Sequence, residues 1–170
     1  MTFRTRVAIA ATAALVVAWP LTSFAQAAGV PTANLQDSNK QFIRDAFDRW
    51  AQGRGDVFSL LADDVTWHIT GFDADIAKTY SSREALMAGA ARPLADRVTQ
   101  PLKPEVRGIW ADGDDVIVHW DGTAPLHDGT TYRNTYLWIM TVKDRRIVAV
   151  TAFLDNAAFK AALAKPPRPN

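Results

Sequence analysis

The chain has 170 residues, with 19 Lys and Arg against 18 Asp and Glu, and it contains no cysteine. A charge this close to neutral gives no basic excess for binding nucleic acid, and the lack of cysteine excludes disulfides and thiolate metal sites. With 48% apolar residues, the length suits one domain with a core of its own.

Residues 1–27 are typical of a secretory signal peptide. Arg4 and Arg6 give a positively charged start, residues 7–18 are apolar, and a small–x–small cleavage pattern ends at Ala27. The apolar run is short for a membrane span, so we expect cleavage and no membrane attachment afterwards. The expected location is the periplasm or the outside medium. Cleavage would leave 17 basic and 18 acidic residues, a formal charge of −1.

A long amphipathic helix is predicted after a polar, mobile lead at residues 28–36. Asp37 or Ser38 can cap this helix, and Gly53 and Gly55 end it. Its apolar side chains recur at helical spacing and share one face. They are Phe42, Ile43, Ala46, Phe47 and Trp50. A second, shorter helix is predicted at residues 57–62.

The first predicted strand, residues 65–70, alternates between two faces. Trp67 shares its face with Val65 and Ile69, which favours an inward position, whereas His68 points the other way. A loop with two carboxylates, residues 72–80, follows the strand.

A capping box predicts the start of the next helix. Ser81 would accept a backbone N–H bond while Glu84 reaches back to the cap, and Pro93 would end the helix after about Ala91.

Two strands are then predicted at residues 105–111 and 115–123, joined by a tight turn at residues 112–114. On the second strand, His119 and Asp121 lie two residues apart and therefore share a face. An aspartate beside a histidine orients the imidazole and raises its pKa, which suits general acid–base work. In the alternative, Val118 and Trp120 point inward and the His–Asp pair forms an incidental ion pair at the solvent.

The final hairpin, residues 132–142 and 146–155, has large polar and aromatic side chains at every second position of its first strand. These are Tyr132, Asn134, Tyr136, Trp138 and Met140. An aromatic face with hydrogen-bonding tips is typical of a small-molecule pocket. The alternative is a sheet face packed under a helix, with Asn134 bonded to backbone.

Asp155 is followed by a predicted terminal helix, residues 156–164, and a proline-rich tail, residues 165–170. Its carboxylate could lie at the rim of the pocket, or it could cap that helix. Helices early in the chain and a meander of strands later predict an α+β fold. We expect one curved, mostly antiparallel sheet wrapped around the long N-terminal helix, enclosing a cone-shaped hollow in a single domain at residues 37–164.

Three segments resemble the nuclear transport factor 2-like superfamily, in its SnoaL-like and ketosteroid-isomerase-like branch. They are residues 60–68, residues 80–84, and the hairpin with Tyr132, Asn134, Tyr136 and Trp138 that ends at residues 153–155. The similarity extends over residues 37–163 and implies a cystatin-like cone. It also implies a homodimer, since sheets of this family often pair face to face.

The resemblance implies cofactor-free proton transfer, as in isomerases and cyclases. Ketosteroid-isomerase chemistry needs a tyrosine in the first helix, which is absent, and a carboxylate where His68 and Ile69 stand. Epoxide hydrolysis needs an Asp–Arg–Asp set, but Arg133 lies on the opposite strand face from Asn134. SnoaL-like cyclisation, with one carboxylate near a histidine, matches His119 and Asp121.

The sequence therefore predicts an exported protein that binds a small, largely apolar, carbonyl-bearing molecule and catalyses isomerisation or cyclisation. The candidate acid–base groups are His119, Asp121 and Asp155; the candidate ligand-binding residues are Trp50, Trp67, Asn134, Tyr136, Trp138 and Phe153. Asn134 and Tyr136 would donate hydrogen bonds to an oxyanion. Three histidines without ligand spacing predict no metal site, and no cofactor is expected. The alternative is a non-catalytic binding or interaction module.

Overall fold

The computed structural model describes residues 32–168, and within them it confirms the α+β class. The predicted signal peptide lies outside the described residues. The chain begins with helix α1 (Thr32–Ala51), a 3₁₀ helix (Val57–Leu60), and strands β1 (Leu61–Ile69) and β2 (Thr79–Tyr80). A helical run then comprises α2 (Arg83–Leu86), a π-helical segment (Met87–Ala91) and α3 (Arg92–Ala95). The remaining elements are strands β3 (Lys103–Asp112), β4 (Asp115–Pro125), β5 (Thr131–Lys143) and β6 (Arg146–Leu154), and helix α4 (Asn156–Leu163).

All six strands form one sheet in the order β2-β1-β6-β5-β4-β3. The pair β1 and β6 is parallel and every other pair is antiparallel, which confirms the mostly antiparallel sheet. Helix α1 lies across β3 and β4, and its apolar face enters the core. The expected sheet curved around the first helix is therefore the observed architecture.

Helix α1 begins at Thr32, so the predicted cap at Asp37 or Ser38 is wrong. No glycine or proline interrupts residues 32–38, and the helix simply extends N-terminally through part of the predicted lead. Its predicted apolar face is confirmed, because all five of its side chains are buried.

The helical run differs from the prediction at both ends. Ser82, not Ser81, accepts the Ala85 N–H at 3.1 Å and caps α2. Pro93 does not end the helix. It occupies the first turn of α3, after a wider π turn in which the Arg92 N–H bonds Met87 O. Proline is tolerated in a first helical turn because its missing N–H has no partner to lose there.

The turn between β5 and β6 is unusual because two non-glycine residues, Asp144 and Arg145, have φ of 48° and 56°. Such a left-handed pair matches the twist of a two-residue hairpin. The Arg145 guanidinium lies 4.6 Å from the ring centroid of Phe42, a cation–π contact between this turn and α1.

Among residues 32–168, no helix has the length and apolar character needed to cross a membrane.

Candidate functional site

A cavity of about 240 Å³ lies between the inner face of the sheet, α1 and the helical run from α2 to α3. Its wall is largely aromatic, with Trp50, Phe58, Trp67, Trp120, Tyr136 and Trp138. The helical run contributes small and flexible apolar side chains, including Met87, Ala90 and Ala91. The hollow that the fold predicts is thus present, and its lining suits an apolar guest.

The aromatic wall is held by ring contacts across neighbouring strands. Trp120 on β4 lies opposite Tyr136 on β5, and their rings stack at 4.0 Å with an interplanar angle of 10°. Trp138 meets Trp67 edge to face at 4.9 Å and Trp120 at 4.8 Å. Offset-stacked and edge-to-face pairs are the favoured aromatic geometries, so this wall is pre-formed.

A buried polar chain runs behind the wall. The hydroxyls of Tyr132 and Tyr136 are 2.6 Å apart, and Asn134 Nδ2 donates to the Tyr132 hydroxyl at 2.9 Å. Asn134 Nδ2 also donates to Asp155 O at 3.0 Å, and its Oδ1 accepts the Asp155 N–H at 2.9 Å. Burial raises the pKa of Tyr132 to about 12 and the pKa of Tyr136 well above its ordinary value. Both phenols are therefore neutral at physiological pH.

Two charged residues line the cavity among those that the structure describes, and each already has a structural partner. Asp56 caps the 3₁₀ helix by accepting the Ser59 N–H at 3.1 Å. Arg92 binds Glu84 through two hydrogen bonds of 2.7 and 2.9 Å. The cavity therefore offers no unpaired positive charge to an anionic ligand.

Four of the six predicted ligand-binding residues line the cavity: Trp50, Trp67, Tyr136 and Trp138. Asn134 is buried but bonded to Tyr132 and to backbone, as its alternative interpretation expected. Phe153 is half-exposed on the outer face, so its expected place in the cavity is wrong. The inward position of Trp67 is confirmed, while His68 faces out with Nδ1 2.9 Å from Thr79 Oγ1.

The expected placement of His119 and Asp121 in the pocket is also wrong. Both lie on the outer face of β4, because Val118 and Trp120 occupy the inner face with no exposed surface. Asp121 accepts hydrogen bonds from Thr135 Oγ1 at 2.6 Å and Arg107 Nε at 2.8 Å. These two contacts lower the pKa of Asp121, which opposes a role as a general base near neutral pH.

Asp155 caps α4, the second of its two expected roles. Its Oδ1 accepts the Ala158 N–H at 2.9 Å, and the side chain is exposed and does not line the cavity. None of the three sequence-predicted acid–base residues is therefore brought to the cavity.

The sequence analysis turned Trp120 inward only in its alternative interpretation and did not name it as a ligand-binding residue, and it missed the contribution of the π-helical segment. The signal for Trp120 was available, because no charged side chain lies on its strand face, which carries Val116, Val118, Trp120, Gly122 and Ala124. The position of Met87, Ala90 and Ala91 depends on a wide helical turn, for which the local sequence gives no comparable signal.

In the described residues, no group of three or more histidine, aspartate or glutamate side chains is arranged to hold a metal ion.

Comparisons with known proteins agree with this architecture. Among solved structures, the chain is similar to a protein from Jannaschia sp. CCS1 assigned as a SnoaL-like polyketide cyclase, with 18% identity, a TM-score of 0.59 and coverage of 82% of this chain and 100% of that one. It is also similar to an NTF2-like protein of Burkholderia thailandensis E264, with 17% identity, a TM-score of 0.58 and coverage of 75% and 98%. A third is an LEH-like epoxide hydrolase from M. tuberculosis, with 16% identity, a TM-score of 0.54 and coverage of 75% of this chain and 90% of that one.

Identities this low establish a shared fold alone. No curated protein sequence matches the chain. The family model for the SnoaL-like domain matches residues 43–150, which span α1 to the middle of β6. The chain therefore belongs to the SnoaL-like family, and it shares its fold with NTF2-like proteins.

Proposed function

We propose that this protein binds a small, largely apolar, carbonyl-bearing molecule in the cavity between the sheet and the helical run. The observation that carries the proposal is the pre-formed aromatic wall, in which Tyr136 supplies a hydroxyl beside Trp120 and Trp138. Ligand sites are typically apolar with a few polar groups that fix orientation, and this cavity has that composition.

The volume of the cavity and the charged residues on its wall limit the class of ligand that it can bind. A volume of about 240 Å³ lies just below the usual range for drug-sized ligands, about 300–1,000 Å³. Arg92 is already paired with Glu84, and Asp56 would repel an anion. The ligand is accordingly small and neutral, since a charge in an apolar site without a partner is costly.

The test is a titration of the purified protein with two matched pairs, by calorimetry. Acetophenone and 2-acetylnaphthalene carry the carbonyl, and ethylbenzene and 2-ethylnaphthalene are their hydrocarbon partners. We expect saturable binding of at least one ketone. Failure of all four compounds to bind at concentrations up to their solubility limits would overturn the proposal.

Two variants test whether the ligand binds in this cavity. Ala91 lines the cavity, whereas Ala88, in the same π-helical segment, is exposed and does not. Ala91→Trp should fill the cavity and weaken ketone binding at least tenfold, and Ala88→Trp should leave it unchanged. Equal affinity in both variants would show that the ligand binds elsewhere.

A second candidate function is isomerase-type turnover, favoured by the shared fold with proteins assigned as a cyclase and an epoxide hydrolase. With His119, Asp121 and Asp155 outside the cavity, Asp56 is the one carboxylate on the wall among the described residues. Asp56→Asn would then lower turnover roughly 10²-fold, the size of a lost general base. Mass-spectrometric product analysis with β-diketones, polyketide-like esters, unsaturated ketosteroids and epoxides tests this. A product formed equally well by the variant would exclude Asp56.

The proposed setting is outside the cytoplasm, on the strength of the signal-like residues 1–27. Expression of the full chain followed by an intact-mass measurement of the exported protein would check it. A mass that still includes these residues would contradict cleavage.

A further inference from the structure

The polar chain behind the cavity wall has a definite direction. It starts at the Asp155 main-chain N–H, which donates to Asn134 Oδ1 and so fixes which end of the amide is oxygen. The Asn134 amide nitrogen then has its two donors assigned, one to Asp155 O and one to the Tyr132 hydroxyl. Tyr132 is therefore an acceptor from Asn134.

The hydroxyl proton of Tyr132 needs an acceptor of its own, and the Tyr136 oxygen at 2.6 Å can accept it. If Tyr136 donated to Tyr132 instead, the Tyr132 proton would be left unpaired in a residue that is 3% exposed and does not line the cavity. A buried donor without an acceptor destabilises the fold, because its hydrogen bond to water is lost and not replaced. The favoured direction therefore runs from Asn134 through Tyr132 to Tyr136.

In that direction the Tyr136 proton is the one left without a protein acceptor among the described residues, and Tyr136 borders the cavity. We infer that Asn134 and Tyr132 are positioning residues that present the Tyr136 proton to the bound molecule, so that the site selects a neutral ligand with an acceptor oxygen over a hydrocarbon of the same shape. This inference rests on the proposed function and deepens it, because it names the chemical feature that the site recognises.

Hydrogen bonds in a chain polarise one another, so a Tyr136 hydroxyl that accepts from Tyr132 is a stronger donor than an isolated one. The wall also keeps both phenols protonated at neutral pH, because burial raises the pKa of each. The donor therefore stays available throughout the physiological range.

The experiment compares the ketone preference, the ratio of acetophenone to ethylbenzene affinity, in three tyrosine variants. Tyr136→Phe removes the donor and should lower the ratio about tenfold, the equivalent of one hydrogen bond of about 1.4 kcal/mol. Tyr132→Phe should lower it by a smaller factor, about threefold, because the donor remains but is no longer polarised. Ethylbenzene affinity should stay within about twofold in each variant.

Tyr80→Phe is the matched control. Tyr80 is a buried tyrosine whose hydroxyl donates to Gly89 O at 3.3 Å, and it does not line the cavity. It should leave the ketone preference unchanged. An unchanged ratio in Tyr132→Phe would overturn the role of Tyr132 as a positioning residue. An unchanged ratio in Tyr136→Phe would overturn the assignment of Tyr136 as the hydrogen-bond donor to the ligand.

A spectroscopic measurement tests the same inference without relying on the stability of any variant. The infrared carbonyl band of carbon-13-labelled acetophenone should lie at lower wavenumber on the native protein than in an alkane solvent. The band should shift part of the way towards its alkane position in Tyr132→Phe and reach that position in Tyr136→Phe. A band at the alkane position on the native protein would overturn the inference, whereas absence of binding by ketone and hydrocarbon alike would overturn the proposed function instead.

Discussion

The inner and outer faces of the sheet both carry tryptophan and hydrogen-bonding side chains, but these side chains have different environments on the two faces. Trp120 on the inner face has no exposed surface, whereas Trp110 on the outer face is 53% exposed, with its ring over the backbone of Gly108. The inner face has Tyr132 and Asn134 in a buried chain of hydrogen bonds, and the outer face has Asp121 in an ion pair exposed to solvent. Residue type alone therefore does not identify a functional side chain; the face that it occupies does.

The two tryptophans give the largest expected contrast. Trp120→Ala removes a fully buried ring that contacts Phe47, Trp50, Tyr136 and Trp138. It should lower the free energy of unfolding by about 3–5 kcal/mol. Trp110→Ala should change it by no more than about 0.5 kcal/mol. Urea denaturation of both variants measures the difference, and equal losses would contradict the assignment of the two faces.

Alkaline pH should lower the stability of the fold through the buried tyrosines of the inner face. The pKa of Tyr132 is about 12 in the folded protein and about 10 in an unfolded chain. A phenol whose pKa is raised on folding stabilises the fold fully below pH 10, and that contribution is lost as the pH rises towards 12. The loss is on the order of 3 kcal/mol for Tyr132.

Denaturation midpoints measured between pH 9 and 12 test this expectation. Tyr132→Phe should lessen the fall in stability, although Tyr136 still contributes to it because burial also raises the pKa of that group. A variant that loses stability as steeply as the native protein would show that folding does not raise the pKa of Tyr132.

The outer face should matter for association, if the homodimer expected from the family resemblance forms through it. Apolar side chains pair on this face at two places, Trp110 with Ile117 between β3 and β4, and Leu137 with Phe153 between β5 and β6. Trp110→Asp would then weaken the dimer by at least tenfold, because a charge would be buried without a partner. Sedimentation velocity of the native protein and the variant would show this, and an unchanged oligomeric state would place any interface elsewhere.

The smallest expected effect is at Asp121. Asp121→Asn should cost no more than about 1 kcal/mol of stability, the usual range for a solvent-exposed ion pair. It should leave ligand binding and any turnover unchanged, in contrast to the catalytic role that the sequence suggested. A loss of ligand binding or of turnover in this variant would indicate that the outer face takes part in the function.

The pH dependence of the same residue has the opposite sign to that of Tyr132. Hydrogen bonds from Thr135 and Arg107 lower the pKa of Asp121. Its contribution is therefore present above the unfolded value of about 3.9 and is lost as the pH falls through the lowered folded value. Acid denaturation should be less steep in Asp121→Asn than in the native protein.

The sequence predicted the fold well because its signals are periodic. The alternation in β1, β4 and β5 and the helical spacing in α1 each depend on several residues, so one misread position does not change the element. The aromatic wall was predicted for the same reason: Trp50, Trp67, Tyr136 and Trp138 all lie on apolar or aromatic faces.

The acid–base residues were harder to predict because alternation fixes which side chains share a face but not which face is enclosed. His119 and Asp121 form an attractive pair by residue type, and only the packing of Val118 and Trp120 against α1 and the other rings excludes them from the cavity. The continuation of the helical run into α3 was missed because Pro93 usually signals a helix end.

The parallel pairing of β1 with β6 has a consequence for how the chain reaches its native state. Thr70 at the end of β1 bonds Ala152 on β6, 82 residues later. Strands β1 and β2 therefore have no place in the sheet until the last strand exists, and such distant pairings form slowly. The ribosome must synthesise the chain through β6 before β1 and β2 can join the sheet, so closure of the cavity cannot precede the synthesis of β6.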